Sequence, residues 1–213
     1  SIFYPKWWVN DKGEHPAPGT IITEKDVRDG VWKPVHEVAW SMSYPGRLAK
    51  KGRNPLMIWP YHCLMGTIGH AVVSGLQESV LWHAAARQSN PQVLIKGTLP
   101  QTEHFGIFEP DVPVDDQPLV GTLNTQYLDM LGGYDLIYVG GEAKSHCVTW
   151  TLRQMMDYFR KSSDIIGRMR FLTNCTSPVI IPGVIDFTDS ANKSFIEFEK
   201  EGARLVLSTD PIS

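Results

Sequence analysis

Hydrophobic positions fall into two regimes along this chain. Over the first sixty residues they are interrupted by proline and glycine (Pro5, Pro16, Pro18, Gly19, Pro34, Pro45, Pro55, Pro60) and sustain no period, which predicts loops and short elements wrapped around a core built later. From Ser74 a helical period sets in. Ser74 and Gln77 stand at capping-box spacing, and Leu76, Val80, Leu81 and Ala84 share one face, so a helix is predicted to about residue 87. Val93-Leu94-Ile95, between Asn90-Pro91 and Gly97, predicts a short buried strand with Lys96 at its carboxyl end. Leu123, Tyr127, Leu128 and Leu131 predict a helix over 124–131, stopped by Gly132-Gly133 before a strand at 136–139. The clearest period follows: Val148, Leu152, Met155, Met156 and Phe159 repeat at helical spacing behind Ser145 as N-cap. A strand at 170–173, a helix at 190–201 ended by Gly202, and a strand at 204–207 close the order.

Helix and strand thus alternate through the second half, the pattern of crossovers over a mostly parallel sheet, and the expected fold is a three-layer α/β/α, Rossmann-like domain. Such sheets place their sites at strand carboxyl ends. No internal repeat or low-complexity linker breaks the chain, and 110–118 reads as an exposed loop.

Composition narrows the partners. The 213 residues, 42% hydrophobic and 20% charged, suit one soluble domain over 1–213. A net charge of −3 without a basic stripe argues against nucleic acid and anionic membranes and leaves a small molecule as the expected partner. Three scattered cysteines (Cys63, Cys147, Cys175) make no disulfide framework, which predicts a reducing, cytoplasmic setting. No run approaches the roughly 18 apolar residues of a membrane helix, and the start has no signal-peptide layout. The chain opens without Met on Ser1-Ile2-Phe3-Tyr4-Pro5-Lys6-Trp7-Trp8-Val9, and the expectation from that abrupt apolar start is that a segment once preceded it.

Cys147 carries the most chemistry. Two residues past the predicted N-cap, it falls in a first helical turn, where unpaired N–H groups and the helix dipole favour a thiolate. Its bland alternative is a small buried hydrophobe. Lys96, at the end of another strand, is placed to stabilise a thiolate or oxyanion, or is a solvated boundary residue. His62, in the rigid turn Trp59-Pro60-Tyr61-His62-Cys63, is a candidate metal ligand or a satisfied structural histidine, and Trp59 stacks on an aromatic ligand or caps a core.

Together these segments resemble a family. Trp59-Pro60-x-His62-Cys63-x-x-Gly66-Thr67, then Lys96-Gly97, then Gly141-Glu142-Ala143-Lys144-Ser145-His146-Cys147-Val148 are similar to the isochorismatase-like cysteine hydrolases, especially their nicotinamidase branch, and the resemblance runs over essentially the whole chain, including Phe3-Tyr4-Pro5. It implies a cysteine, lysine and aspartate triad, in which cysteine attacks a small carboxamide such as nicotinamide, ammonia leaves and water releases the acid. Cys147 and Lys96 match two members. It further implies an oxyanion hole from the N–H groups of Cys147 and Ala143, with a cis peptide before Ala143, substrate against Trp59, and a divalent metal such as zinc held by His62 with an Asp-x-His pair.

The triad aspartate and the Asp-x-His pair have no match here, and no Asp-x-His occurs in the sequence. An open middle of a parallel sheet is poorly tolerated, so the expectation is an N-terminally incomplete chain whose first strand and helix are missing. Glu103 is the substitute base the sequence offers; His146 points about 100° away from its neighbour Cys147 on a helix. The alternatives are a catalytically silent binding or assembly module, and a hydrolase of another small amide, since Lys144-Ser145-His146 departs from the Thr-Asp-Tyr common in simple nicotinamidases. A homo-oligomer is expected from the aromatic start (Phe3, Tyr4, Trp7, Trp8), which suits a partner subunit as well as this core.

Overall fold

The computed structural model describes residues 4–114, 116–117, 120–183 and 185–212. The chain divides into two compact units, Ser1–Gln101 and Thr102–Ser213.

In the first unit α1 (Tyr4–Trp7) leads into β1 (Trp8–Val9), followed by β2 (Ile21–Ile22), α2 (Glu24–Arg28), β3 (Lys33–Pro34), α3 (Val38–Lys50), β4 (Leu56–Met57) and α4 (Ser74–Arg87). Short antiparallel ladders join β1 to β3 and β2 to β4. Helix α2 starts on a reciprocal capping box: the Thr23 hydroxyl accepts from Asp26 N at 3.1 Å, and the Asp26 carboxylate accepts from Thr23 N at 2.8 Å. Helix α3 is the element that proline and glycine hid, because Pro45 and Gly46 both lie inside it. An interior proline costs about 3 kcal/mol, and the full burial of Tyr44 and Leu48, worth roughly 1.5–3 kcal/mol for each such side chain, offsets it. Gly46 faces α2, where an added Cβ would stand 2.7 Å from the Glu24 carboxylate, the end of an exposed side chain that can move aside.

Trp7 and Trp8 are buried within the first unit, as are Ile22, Leu56 and Ile58, so these two opening aromatics are covered by their own chain. Phe3 of the same opening lies outside the described residues. Two expectations are corrected here. Helix α4 forms at the predicted place, but its N-cap is Val73 and no side chain caps it, so Ser74 and Gln77 do not make a capping box; none of its residues is buried, and Leu76 and Leu81 stand exposed. The predicted strand at 93–95 is absent, with Val93 77% exposed, so Lys96 does not close a strand. A strand exists only by exchanging hydrogen bonds with a neighbour, and among the described residues no strand pairs with this apolar triplet.

The second unit holds the alternating order expected: α5 (Thr125–Gly132), β5 (Ile137–Val139), α6 (Thr149–Tyr158), α7 (Ser163–Ile166), β6 (Met169–Leu172), β7 (Ile180–Ile181), β8 (Ile185–Asp186), α8 (Thr188–Lys200) and β9 (Arg204–Val206). Strands β5, β6 and β9 form a parallel sheet in that order, with Ile137 opposite Met169 and Phe171 opposite Leu205, while β7 and β8 pair as an antiparallel ladder. The architecture is α/β with a central parallel sheet and is consistent with the three-layer class. Asn124 caps α5 by accepting from Tyr127 N at 3.0 Å. Phe171 of β6 meets Phe195 and Phe198 of α8 edge-on, with centroids 6.2 and 5.8 Å away, and this fully buried aromatic cluster joins sheet to helix.

The loop expected to be exposed at 110–118 is buried over its first half: Pro110, Asp111, Val112 and Val114 lie inside, while Asp115 and Pro118 fall outside the described residues. Buried loop backbone requires partners, and local side chains supply them. The Asp111 carboxylate accepts from Phe105 N at 2.8 Å, and the Thr102 hydroxyl both donates to Val112 O at 3.0 Å and accepts from Val112 N at 3.2 Å. Among the described residues no helix is long and apolar enough to cross a membrane.

Candidate active site

Cys147 lies where β5 gives way to α6. After Val139 come Gly140 and Gly141, then Glu142 and Ala143 joined by a cis peptide, then a wide turn over Lys144–Val148 that runs into α6. A Cβ on Gly140 would press on Cys175 at 3.2 Å, and Gly141 holds φ at 137°, a conformation in which a residue with a side chain is strained. The turn is one residue wider than an α-helix: Ala143 O accepts from Val148 N, five residues on, and also from His146 N, each at 3.1 Å. The Thr149 hydroxyl donates to Lys144 O at 2.5 Å.

The expected N-cap is corrected. Ala143, extended at φ −99° and ψ 145°, precedes the turn, and no side chain caps it; Ser145 lies within the turn. Its hydroxyl instead accepts from Val179 N at 3.0 Å and pairs with His146 Nδ1 at 2.8 Å. The wide turn displaces the first helical residues, which spacing along the sequence does not reveal. Cys147 stays in the opening turn and is half-buried, whereas Cys63 and Cys175 are exposed. Ala143 N–H meets no acceptor among the described residues, as an anion-binding donor requires.

The next side chain, His146, turns away into the core. Its ring stands edge-on to Phe187 at 4.7 Å and tilted to Phe105 at 5.6 Å. Burial disfavours the imidazolium and lowers its pKa from the ordinary value of about 6.5. The unfolded chain therefore takes up a proton near that pH that the folded chain refuses. Stability is complete above about pH 6.5 and is lost as pH falls below it. The urea midpoint is accordingly expected to drop between about pH 7.5 and about pH 5.5, and to drop less in His146→Phe, which keeps the aromatic contacts without the titrating ring. Lys144 is likewise turned away: its ammonium donates to Asn192 Oδ1 at 2.7 Å and lies 4.6 Å over the Phe195 ring, and burial lowers its pKa.

Of the residues marked by sequence, Ala143 and Cys147 come together in the second unit. Glu103 lies in the same unit, buried, at the head of the loop pinned by Asp111, whose N–H donates to Glu103 O at 2.8 Å. In the first unit Trp59 and His62 meet edge-on with centroids 6.3 Å apart, and His62 Nδ1 bonds Pro60 O at 2.7 Å, which assigns its proton to that nitrogen. Lys96 also belongs to the first unit, just before Gly97 at φ 72°. Among the described residues no three His, Cys, Asp or Glu side chains converge as a metal-binding group.

Sequence reasoning missed the residues that hold the site. Glu142 and Ser177 secure the nucleophile turn from outside, and Gln154 and Thr151 of α6 secure the 105–109 loop. Gln154 accepts from Phe108 N at 2.9 Å and donates to Glu109 O at 2.9 Å, and Thr151 Oγ1 accepts from Ile107 N at 3.2 Å. A polar residue on the face of a helix offers no local sign of such a partner.

No protein-family model matches this chain, and no curated protein does. Among solved structures it is similar to the yeast nicotinamidase Pnc1p (19% identity, TM-score 0.48, 72% of this chain and 60% of that one). It is also similar to PnC1 from L. infantum in complex with nicotinate (24%, TM-score 0.45, 71% and 61%) and to the pyrazinamidase of Pyrococcus horikoshii in complex with zinc (18%, TM-score 0.41, 75% and 66%). The chain spans about 60% of the length of the first of these.

Proposed function

We propose that this chain carries the nucleophile of a cysteine hydrolase that converts a small carboxamide, with nicotinamide as the lead candidate, into its acid and ammonia. The observation that supports it most is the setting of Cys147: a half-buried thiol in the opening turn of a helix, at the carboxyl end of a parallel strand, four residues after an N–H without an acceptor among the described residues.

In this reading the Cys147 sulfur bonds the carbonyl carbon, and the oxygen takes up the displaced electron pair as an oxyanion held by the Ala143 and Cys147 N–H groups. Collapse breaks the C–N bond. The nitrogen leaves as ammonia with the former thiol proton, which a general base carries across, and Glu103 is the carboxylate assigned that task. Water then cleaves the thioester, releasing acid and restoring the thiol. For Lys96 and Trp59 the roles remain those that the family resemblance implies, support of negative charge and a flat apolar surface for an aromatic amide. The working form is assigned as a homo-oligomer in a reducing compartment.

Alkylation separates this reading from a silent binding module. Iodoacetamide is expected to modify Cys147 at least about tenfold faster than Cys63 or Cys175 at neutral pH in the folded chain, as followed by peptide mass mapping. Access alone would give the opposite order, since the two controls are the exposed thiols. Equal or slower reaction of Cys147 would favour the silent module.

A further inference from the structure

Among the described residues, the stretch after β6 grips the backbone of the nucleophile turn along its length. Gly141 N donates to Cys175 O at 2.9 Å, Lys144 N donates to Ser177 O at 2.8 Å, and Val179 N donates to the Ser145 hydroxyl at 3.0 Å. Ser177 does most. Its N–H and its hydroxyl both donate to one oxygen of the Glu142 carboxylate, at 3.1 and 3.0 Å, while its carbonyl accepts from Lys144. The residues immediately before and after Ala143 are therefore both tied to a single residue, and Ala143 itself is held between them.

We infer that Ser177 and Glu142 form a clamp that sets the direction of the Ala143 N–H and so positions the oxyanion donor. The inference rests on the hydrolase reading for its consequence in catalysis, and on the hydrogen bonds alone for its geometry. Ala143 has no polar side chain with which to anchor itself, and its carbonyl is already used by His146 and Val148. A peptide plane fixed on one side only is free to tilt, and an oxyanion donor contributes through being aimed before charge develops. A carboxylate acceptor makes the clamp bonds stronger than neutral ones, although both partners are exposed. Ser177 and Glu142 are positioning residues in this account, since neither touches the reacting atoms.

Glu142→Ala removes both bonds to the carboxylate, Ser177→Ala removes the hydroxyl bond only, and Glu142→Gln and Ser177→Thr keep the acceptor and the donor. On an amide substrate Glu142→Ala is expected to lower kcat by about tenfold or more with KM within about twofold, Ser177→Ala by less, and the conservative variants to restore most of the rate. Iodoacetamide forms no oxyanion at the attacked carbon, so alkylation of Cys147 should proceed at the wild-type rate in every variant. A merely structural role would slow alkylation and hydrolysis together. The geometry is read separately by NMR, where the Ala143 and Cys147 amide resonances should shift or broaden in Glu142→Ala and stay in place in Glu142→Gln. Unmoved resonances in Glu142→Ala, or a kcat equal to wild type, would overturn the clamp. Absence of hydrolysis by the wild-type chain would instead count against the hydrolase reading, with the resonances still deciding the clamp.

Discussion

Cys147→Ala is expected to abolish ammonia release from a small carboxamide, a fall on the order of 10⁴-fold or more where the wild-type chain is active. The size follows from the chemistry. Without sulfur there is no covalent intermediate, and the oxyanion donors alone are left to assist water. Cys147→Ser should fall nearly as far, because a serine hydroxyl is a far weaker nucleophile without a strong base beside it. Neither change should unfold the protein, since the thiol is small and half-buried. Coupled ammonia detection with nicotinamide and a short panel of other amides gives the rate, and a urea titration of each variant gives the control. Hydrolysis by Cys147→Ala at the wild-type rate would sink the proposed mechanism.

The largest loss of stability is expected in the aromatic cluster between β6 and α8. Phe198→Ala should cost about 3–5 kcal/mol, a large share of the roughly 5–15 kcal/mol available to a domain. Phe198 is fully buried, meets Phe171 edge-on at 5.8 Å and Phe195 at 6.1 Å, and carries the Arg153 guanidinium 4.7 Å over its ring. Truncation leaves a cavity between β6 and α8 and removes the cation–π contact between α8 and α6. Arg153 is held also by Glu197 at 3.1 Å, so its side chain cannot simply collapse into the space. The urea midpoint reports the change. A shift below about 1 kcal/mol would mean that the cluster is not the junction described here.

Much of the second unit was legible because each element advertises a buried face within its own length. Leu152, Met155 and Met156 are nearly or fully buried on α6, as their spacing requires, and Phe195 and Phe198 do the same for α8. Gly202 ends the last helix at φ 112°, in the conformation glycine takes most easily. In the first unit the same reasoning fell short. The apolar triplet at 93–95 and the face of α4 carry the right residues, but a strand and a core face are relations to a neighbour, and periodicity does not show whether the neighbour is there. Helix α3 was hidden for the converse reason: burial of Tyr44 and Leu48 outweighs the local preference of Pro45 and Gly46.

The sequence by itself determined the order of the three longer helices and three parallel strands from residue 124 onward, though not α7 or the β7–β8 ladder, and the position of Cys147 after one of those strands. These follow from short-range periods and from glycines that stop helices. Only the tertiary structure decided that Ser145 lies within the turn instead of capping it, that the first half of 110–118 is buried, and that Ser177 holds Glu142 from 35 residues away. Each of these depends on where a distant backbone group comes to rest. A hydrogen bond between remote residues leaves no spacing to read, because its geometry exists only after the chain has packed.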